Sequence, residues 1–242
     1  MKDMFGRRRD YALAPLYYIQ ARRVAKHALK LPEPNGTCHI IIPNVPTLAI
    51  LGDSAAAGVG VDGQEDAPLG RIFHHLGAQD IAISCHLYAT SGHTSFDLLQ
   101  RLYAMPITRI DIAIISIGVN DVVKATMNKD WQYNLNHIIT LLTRKFRACH
   151  IIFLSLPPMH LAPSLPIPLN AFIGRRAQAL TQILKSVCDA HEQAHYVTDE
   201  FKTFNLSPHH MFAKDGFHPS KQTYDIWSRT LANKVAELLP FI

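Results

Sequence analysis

The chain has 242 residues, of which 48% are hydrophobic and 18% are charged. This balance is typical of a globular protein and excludes an intrinsically disordered chain, and the length suffices for one large domain. The formal net charge is +5, but eight Lys or Arg and only two Asp lie in residues 1–30. The rest of the chain is therefore nearly neutral, and we expect no nucleic-acid partner.

The four cysteines are widely spaced and form no CxxC pair: Cys38, Cys85, Cys149 and Cys188. This spacing argues against a disulfide framework and against a metal site, so we expect neither a metal nor a cofactor. No apolar run reaches the roughly 18 residues of a membrane span, and the N-terminus lacks the form of a signal peptide. These features predict a cytoplasmic protein without a transmembrane helix.

Segment 12–29 predicts a basic amphipathic helix. Its apolar residues recur at near-helical spacing, with arginine and lysine between them: Leu16, Ile19, Val24 and Leu29. Such a helix either makes peripheral contact with an anionic membrane through residues 1–30 or packs on the domain with its basic face in solvent, and the second interpretation is favoured. The prolines and Asn-Gly of residues 31–36 predict a linker. We therefore divide the chain into an N-terminal helix and linker, 1–36, and a main domain, 37–242.

Strand-like and helix-like runs alternate from residue 47 onward. Five short apolar runs predict strands: 48–51, 81–87, 110–117, 151–156 and 195–197. Helix-like patterns lie between and after them: 69–76, 96–103, 131–146, 171–190 and 223–239. Short continuous apolar strands separated by helices are typical of a parallel sheet covered on both faces. The predicted fold is a three-layer α/β/α sandwich with a flavodoxin-like parallel sheet.

The segment 47–60, TLAILGDSAAAGVG, places a serine directly after a buried strand. Open α/β sheets carry their chemistry at the carboxyl ends of the strands, so Ser54 is a candidate nucleophile at the mouth of a site. Taken alone, the segment is better explained by Ser54 acting as a helix cap. The choice depends on whether partner groups follow other strands.

Such groups do follow other strands. Gly92 comes after the second strand, Asn120 after the third, and Asp215 and His218 stand together before the last helix. Each has a structural explanation as a turn or cap residue. With Ser54 they supply the nucleophile, base, carboxylate and oxyanion donors that acyl transfer requires.

These segments resemble the four sequence blocks of the SGNH (GDSL) hydrolase family, in the family's order. The blocks are Gly52-Asp53-Ser54, Ser91-Gly92, Gly118-Val-Asn120-Asp121 and Asp215-Gly-Phe-His218, and the resemblance covers about residues 47–238. One departure is that Ala55 stands where the family's most quoted form has leucine. The resemblance implies the SGNH fold and a serine esterase or lipase.

The resemblance also implies a role for each matching residue. Ser54 is then the nucleophile, His218 the base and Asp215 its carboxylate partner. The oxyanion hole is formed by the backbone N–H groups of Ser54 and Gly92 and by the side-chain amide of Asn120.

The proline-rich segment 157–170 follows the fourth strand, and a loop of this length is usually functional or disordered. Met159, His160 and Leu165 are candidates for an acyl-binding wall, and a purely structural loop is the alternative. We expect hydrolysis of small carboxylic esters, with short acyl chains, through an acyl-enzyme. The alternatives are a lysophospholipase or acyl thioesterase near a membrane, or a non-catalytic phosphate or nucleotide binder using the glycine-rich segment 52–58. The acyl group, the alcohol and the oligomeric state stay open.

Overall fold

A six-stranded sheet lies at the centre of the protein in a computed structural model, which describes residues 8–198 and 207–242. The first seven residues of the predicted N-terminal unit lie outside the described residues. The strands are β1 (His39–Ile40), β2 (Thr47–Gly52), β3 (Ser84–Ala89), β4 (Ile112–Ser116), β5 (His150–Leu154) and β6 (Ala194–Val197).

The strand order is β1-β3-β2-β4-β5-β6. Strands β2 to β6 pair in parallel, and β1 pairs with β3 in antiparallel fashion. The five parallel strands therefore have the flavodoxin order, in which the winding reverses between β2 and β4. Ligands of such sheets bind outside the carboxyl ends of the strands at this reversal.

Helices cover both faces of the sheet. They are α1 (Arg8–His27), α2 (Ser54–Ala57), α3 (Pro68–Gly77), α4 (Ser95–Ala104), α5 (Val119–Val123), α6 (Asn128–Arg144), α7 (Leu169–Asp189), α8 (Pro208–Met211) and α9 (Lys221–Leu238). Helices α3 and α9 pack together on one face, and α4, α6 and α7 lie on the other. The predicted three-layer α/β/α architecture is confirmed.

The alternation of side chains along β2 divides the core into two halves. Leu48 and Ile50 contribute to the core that includes Tyr224 of α9, whereas Leu51 contributes to the opposite core, which includes Trp131 of α6. All five side chains are at most 1% exposed. Burial of one such aliphatic side chain stabilises the fold by roughly 1.5–3 kcal/mol, so the strand that leads to Ser54 is held firmly from both sides.

Helix α1 packs against α7 through one face. Tyr17 is buried and its ring stacks on Phe172 with the centroids 4.6 Å apart. The buried Asp10 carboxylate accepts hydrogen bonds from Tyr17 Oη at 3.0 Å and from Arg175 Nη2 at 2.6 Å. In the two described ranges, none of the helices has the length and apolar content to cross a bilayer.

The segment between α1 and β1 contacts the main domain as well. The N–H of Asn35 donates to the carbonyl of Asp62 at 2.9 Å, and its carbonyl accepts from the N–H of Gln64 at 2.8 Å. Glu33 Oε1 accepts from Ser91 Oγ at 2.7 Å. The linker therefore lies beside the loops that follow α2 and β3, the second of which contains Gly92.

Candidate active site

Ser54 is the first residue of α2 and follows β2 after a single residue. Asp53 occupies the cap position, and its Oδ1 accepts a hydrogen bond from the N–H of Ala55 at 3.0 Å. A Cβ at Gly52 would lie 1.8 Å from the carbonyl oxygen of Ser116 in β4. Only glycine lets β2 end this close to β4, and the turn places Ser54 at the reversal of the sheet.

Three side chains form one hydrogen-bonded chain. Ser54 Oγ lies 3.0 Å from His218 Nε2, although the two residues are 164 positions apart. The other ring nitrogen, Nδ1, lies 2.5 Å from Asp215 Oδ2. With the proton on Nδ1 donated to the carboxylate, Nε2 presents its lone pair to the serine hydroxyl.

The loop before α9 holds Asp215 in place. Its Oδ1 accepts hydrogen bonds from the backbone N–H groups of Phe217 and His218, both at 3.0 Å. Burial alone would raise the pKa of Asp215, but the His218 ring and these two N–H groups outweigh burial and lower its pKa below the ordinary value. Asp215 is therefore ionised at neutral pH and orients the imidazole.

The two other predicted oxyanion donors lie at neighbouring strand ends. Gly92 stands in the turn after β3, and Asn120 lies in α5 after β4. Asn120 Nδ2 donates to the carbonyl of His93 at 3.0 Å and lies 3.4 Å from Asp53 Oδ2. Lys124 Nζ donates to the carbonyl of Gly92 at 2.9 Å. Asn120 therefore lies between the Ser54 turn and the Gly92 turn.

The contact between Asp53 and Asn120 is not evident from the sequence, which indicates only a turn-shaping role for Asp53. The Asp53 side chain is 1% exposed. Burial raises its pKa to about 7, against the opposing effects of the Ala55 N–H and the nearby His218. A carboxyl group that is partly protonated near neutral pH therefore lies beside the candidate oxyanion amide.

An apolar cavity that is open to solvent lies beside Ser54 and His218. Its apolar walls include Ile117, Leu156 and Trp227. Ile117 is the first residue after β4 and Leu156 the second after β5, so their place at strand ends is a sequence signal for a role in the site. Trp227 comes from α9, and no local pattern in the sequence indicates its position.

The three loop residues proposed for an acyl-binding wall lie in different places. Met159 is buried and lines the cavity. His160 is exposed and packs beside Gly174 of α7, and the partly buried Leu165 packs against the hydrophobic core. In the described part of the chain, these two lie outside the cavity wall.

Solved structures with the same fold include three ester-cleaving proteins of known source. The lipase/acylhydrolase from Enterococcus faecalis is 18% identical with a TM-score of 0.64, and the match covers 81% of this chain and 97% of that one. The psychrotrophic esterase EstA from Pseudoalteromonas sp., in a structure inhibited by monoethylphosphonate, is 21% identical with a TM-score of 0.59 and coverages of 80% and 98%. The acetylxylan esterase Axe2 from Geobacillus stearothermophilus is 19% identical with a TM-score of 0.56 and coverages of 78% and 94%. At these identities the likeness shows a shared fold.

A comparison with curated proteins returned no match. The family model described as GDSL-like lipase/acylhydrolase matches residues 50–226, well over half of the chain. The matched residues include all four sequence blocks, from the serine that follows β2 to the histidine that precedes α9. The resemblance drawn from the sequence is thereby confirmed, and the chain belongs to the GDSL-like lipase/acylhydrolase family.

Proposed function

We propose that the protein hydrolyses small-molecule carboxylic esters through an acyl-enzyme formed on Ser54. The observation that carries the proposal is the chain of hydrogen bonds from Asp215 through His218 to Ser54 Oγ, with distances of 2.5 and 3.0 Å. A serine hydroxyl is a weak nucleophile unless a base removes its proton as it attacks. Here the base lies within hydrogen-bond distance, and its own orientation is fixed by a carboxylate.

The reaction follows from this arrangement. Ser54 Oγ attacks the ester carbonyl carbon while its proton passes to His218 Nε2, and Asp215 stabilises the imidazolium. His218 then returns the proton to the leaving alkoxide as the carbon–oxygen ester bond breaks. In the second half, His218 takes a proton from water as the water oxygen attacks the acyl carbon. His218 then returns this proton to Ser54 Oγ as the bond between Oγ and the acyl carbon breaks, which releases the carboxylic acid and restores the free enzyme.

Three donors are assigned to the tetrahedral oxyanion: the N–H groups of Ser54 and Gly92 and the amide of Asn120. The N–H of Ser54 lies in the first turn of α2, where such groups have no acceptor within the helix. Of the two contacts of Asn120 Nδ2, the one to Asp53 at 3.4 Å is the longer and weaker. An oxyanion replaces this contact while the hydrogen bond to His93 keeps the amide in place.

The Ser54→Ala variant tests the assignment. We expect hydrolysis of p-nitrophenyl acetate and butyrate to fall on the order of a thousandfold or more, because the nucleophile is lost. Ser186→Ala, on the exposed side of α7, is the matched control and should keep full activity. A fluorophosphonate should label the wild type and the control but not Ser54→Ala. A fully active Ser54→Ala variant would refute the proposal, and absence of labelling together with stabilisation by a nucleotide would favour the phosphate-binding alternative.

The apolar cavity supports a second candidate within the same chemistry, a lysophospholipase or acyl thioesterase that accepts longer acyl chains. Ile117, Leu156 and Met159 line the space next to Ser54, and an apolar wall favours binding of an alkyl chain. A series of p-nitrophenyl esters from acetate to palmitate distinguishes the candidates. Activity confined to the shortest esters supports the first, and activity that rises beyond octanoate supports the second.

A further inference from the structure

The side of α1 that faces away from α7 combines exposed apolar and basic side chains. Ile19, Arg22, Arg23 and Lys26 recur at the spacing that places residues on one helical face, and Leu16 and Tyr18 flank them. Tyr18 and Ile19 are each 63% exposed, and Leu16 is 40% exposed. We call these six residues the α1 outer face.

The positive charge of the α1 outer face is not balanced within the helix. The sequence of α1 contains one acidic residue, Asp10. That carboxylate is 1% exposed and pairs with Arg175 on the side that packs against α7. The three basic residues of the outer face therefore project a positive potential away from the domain.

An arginine and an aromatic ring lie together on this face. The Arg22 guanidinium lies 5.8 Å from the centre of the Tyr18 ring, and its Nη1 donates to Tyr18 Oη at 3.3 Å. Amphipathic aromatic rings and arginines with long apolar stems suit the boundary between lipid headgroups and acyl chains. Ile19 adds an aliphatic side chain on the same side.

The proline-rich loop continues this surface towards the active site. Gln20 Nε2 donates to the carbonyl of Ile167 at 2.8 Å, and Gln20 Oε1 accepts from the N–H of Leu169 at 3.2 Å. The side chain of Ile167 is 80% exposed. The same loop carries Met159, which lines the cavity. The N–H of Ser164, also in this loop, donates at 3.2 Å to the carbonyl of Gly216, the residue after Asp215.

We propose that the α1 outer face, together with Ile167, docks the protein on the surface of an anionic phospholipid bilayer. Three cations without a nearby acid on their helix, next to the exposed Tyr18 and Ile19, suit an anionic lipid surface, which attracts basic side chains and takes up apolar ones. The exposed Ile19 and Ile167 enter the headgroup region, and the basic side chains remain at the phosphates. The docked loop then holds the cavity wall close to the lipid.

Co-sedimentation of the full chain with vesicles tests the docking. We expect binding to phosphatidylcholine vesicles that contain phosphatidylglycerol, weakening at high salt, and little binding to pure phosphatidylcholine. Each basic residue near an anionic surface strengthens binding by about fivefold, so Arg22→Gln/Arg23→Gln/Lys26→Gln should bind about a hundredfold more weakly. The control Lys129→Gln/Arg144→Gln/Lys185→Gln removes the same charge from exposed positions of α6 and α7 and should bind like the wild type.

The outcomes separate docking from catalysis and from self-association. Both triple variants should hydrolyse soluble p-nitrophenyl butyrate at the wild-type rate, since none of the six substituted residues lines the cavity beside Ser54. Equal vesicle binding by the two triple variants, or equal binding to neutral and anionic vesicles, would overturn the proposal. A dimer in sedimentation equilibrium that dissociates in Arg22→Gln/Arg23→Gln/Lys26→Gln, without vesicle binding by the wild type, would assign the face to a second copy of the chain.

Discussion

Asn120 is the one assigned oxyanion donor that acts through its side chain, so a substitution removes it without altering the backbone. Loss of one such donor typically raises the barrier by roughly 2.7–4 kcal/mol. We therefore expect Asn120→Ala to lower kcat for p-nitrophenyl butyrate on the order of a hundredfold or more, with KM changed much less. Asn233→Ala, at an exposed position of α9, is the control for loss of an amide. An unchanged kcat in Asn120→Ala, with an unchanged melting temperature, would remove Asn120 from the oxyanion hole.

Asp53 links the active site to the stability of the fold. Burial raises its pKa to about 7 in the folded protein, whereas an unfolded aspartate titrates near pH 3.9. Below about pH 4 both states keep the proton and the full stability is present. As the pH rises towards 7 the unfolded chain releases this proton and the folded chain retains it, so the unfolding free energy falls by up to about 4 kcal/mol.

The Asp53→Asn variant isolates this effect, because the amide cannot titrate and its Oδ1 still accepts from the Ala55 N–H. We expect the unfolding free energy of the variant minus that of the wild type to increase between pH 4 and pH 7 and to level off above it. Urea unfolding at one-unit intervals of pH measures the difference, in which the contributions of other groups largely cancel. A difference that stays constant over this range would contradict the raised pKa of Asp53.

At the scale of elements, the ends of β2 and β4 depend on one glycine. An added Cβ at Gly52 meets the Ser116 carbonyl oxygen at 1.8 Å, so Gly52→Ala must displace the backbone of β4. We expect the unfolding free energy to fall by roughly 3 kcal/mol or more and ester hydrolysis to be lost as Ser54 moves. Gly77→Ala is the matched control, since an added Cβ at this position of α3 meets no heavy atom within 4 Å.

Removing backbone freedom should make Gly77→Ala more stable than the wild type by roughly 0.5–1 kcal/mol. Urea unfolding of both variants gives the comparison. Similar unfolding free energies for the two would show that β2 and β4 tolerate a side chain between them.

The elements that the sequence predicts are those with a long periodic or apolar pattern. The runs 110–117 and 151–156 contain β4 and most of β5, because strands buried on both faces are continuously apolar. Strand β1 has two residues, His39–Ile40, and α5 has five, and neither is long enough to show a period. Ser54, Gly92 and Asn120 are predicted from their motifs and their positions after strands, and Asp215 and His218 from their motif before the last helix. The contact of Asp53 with Asn120 and the position of Trp227 depend on how distant elements pack, which no local pattern encodes.

At the scale of the whole molecule, the division into an N-terminal unit, 1–36, and a main domain, 37–242, stays a prediction. The two parts of the N-terminal unit, helix α1 and the linker, make different contacts with the main domain. Helix α1 packs on α7, away from the cavity, through Tyr17 and Asp10. The linker instead supports the edge of the site, because Glu33 Oε1 accepts from both the N–H and the hydroxyl of Ser91, the residue before Gly92.

Two deletions therefore have different expected effects. Removing residues 1–30 eliminates α1 and exposes Phe172, so we expect lower thermal stability but a kcat for p-nitrophenyl butyrate within a fewfold of the wild type. Removing residues 1–36 also eliminates Glu33 and the two backbone hydrogen bonds of Asn35, which fix the segments beside the Gly92 turn and α2. Because a displaced oxyanion donor no longer stabilises the transition state, kcat should fall clearly further in the longer deletion.

Glu33→Gln in the full chain keeps an oxygen acceptor for Ser91 and should match the wild type, whereas Glu33→Ala should lower kcat in the same direction as the longer deletion. Equal kcat values for the two deletions would place the boundary of the catalytic unit at residue 36.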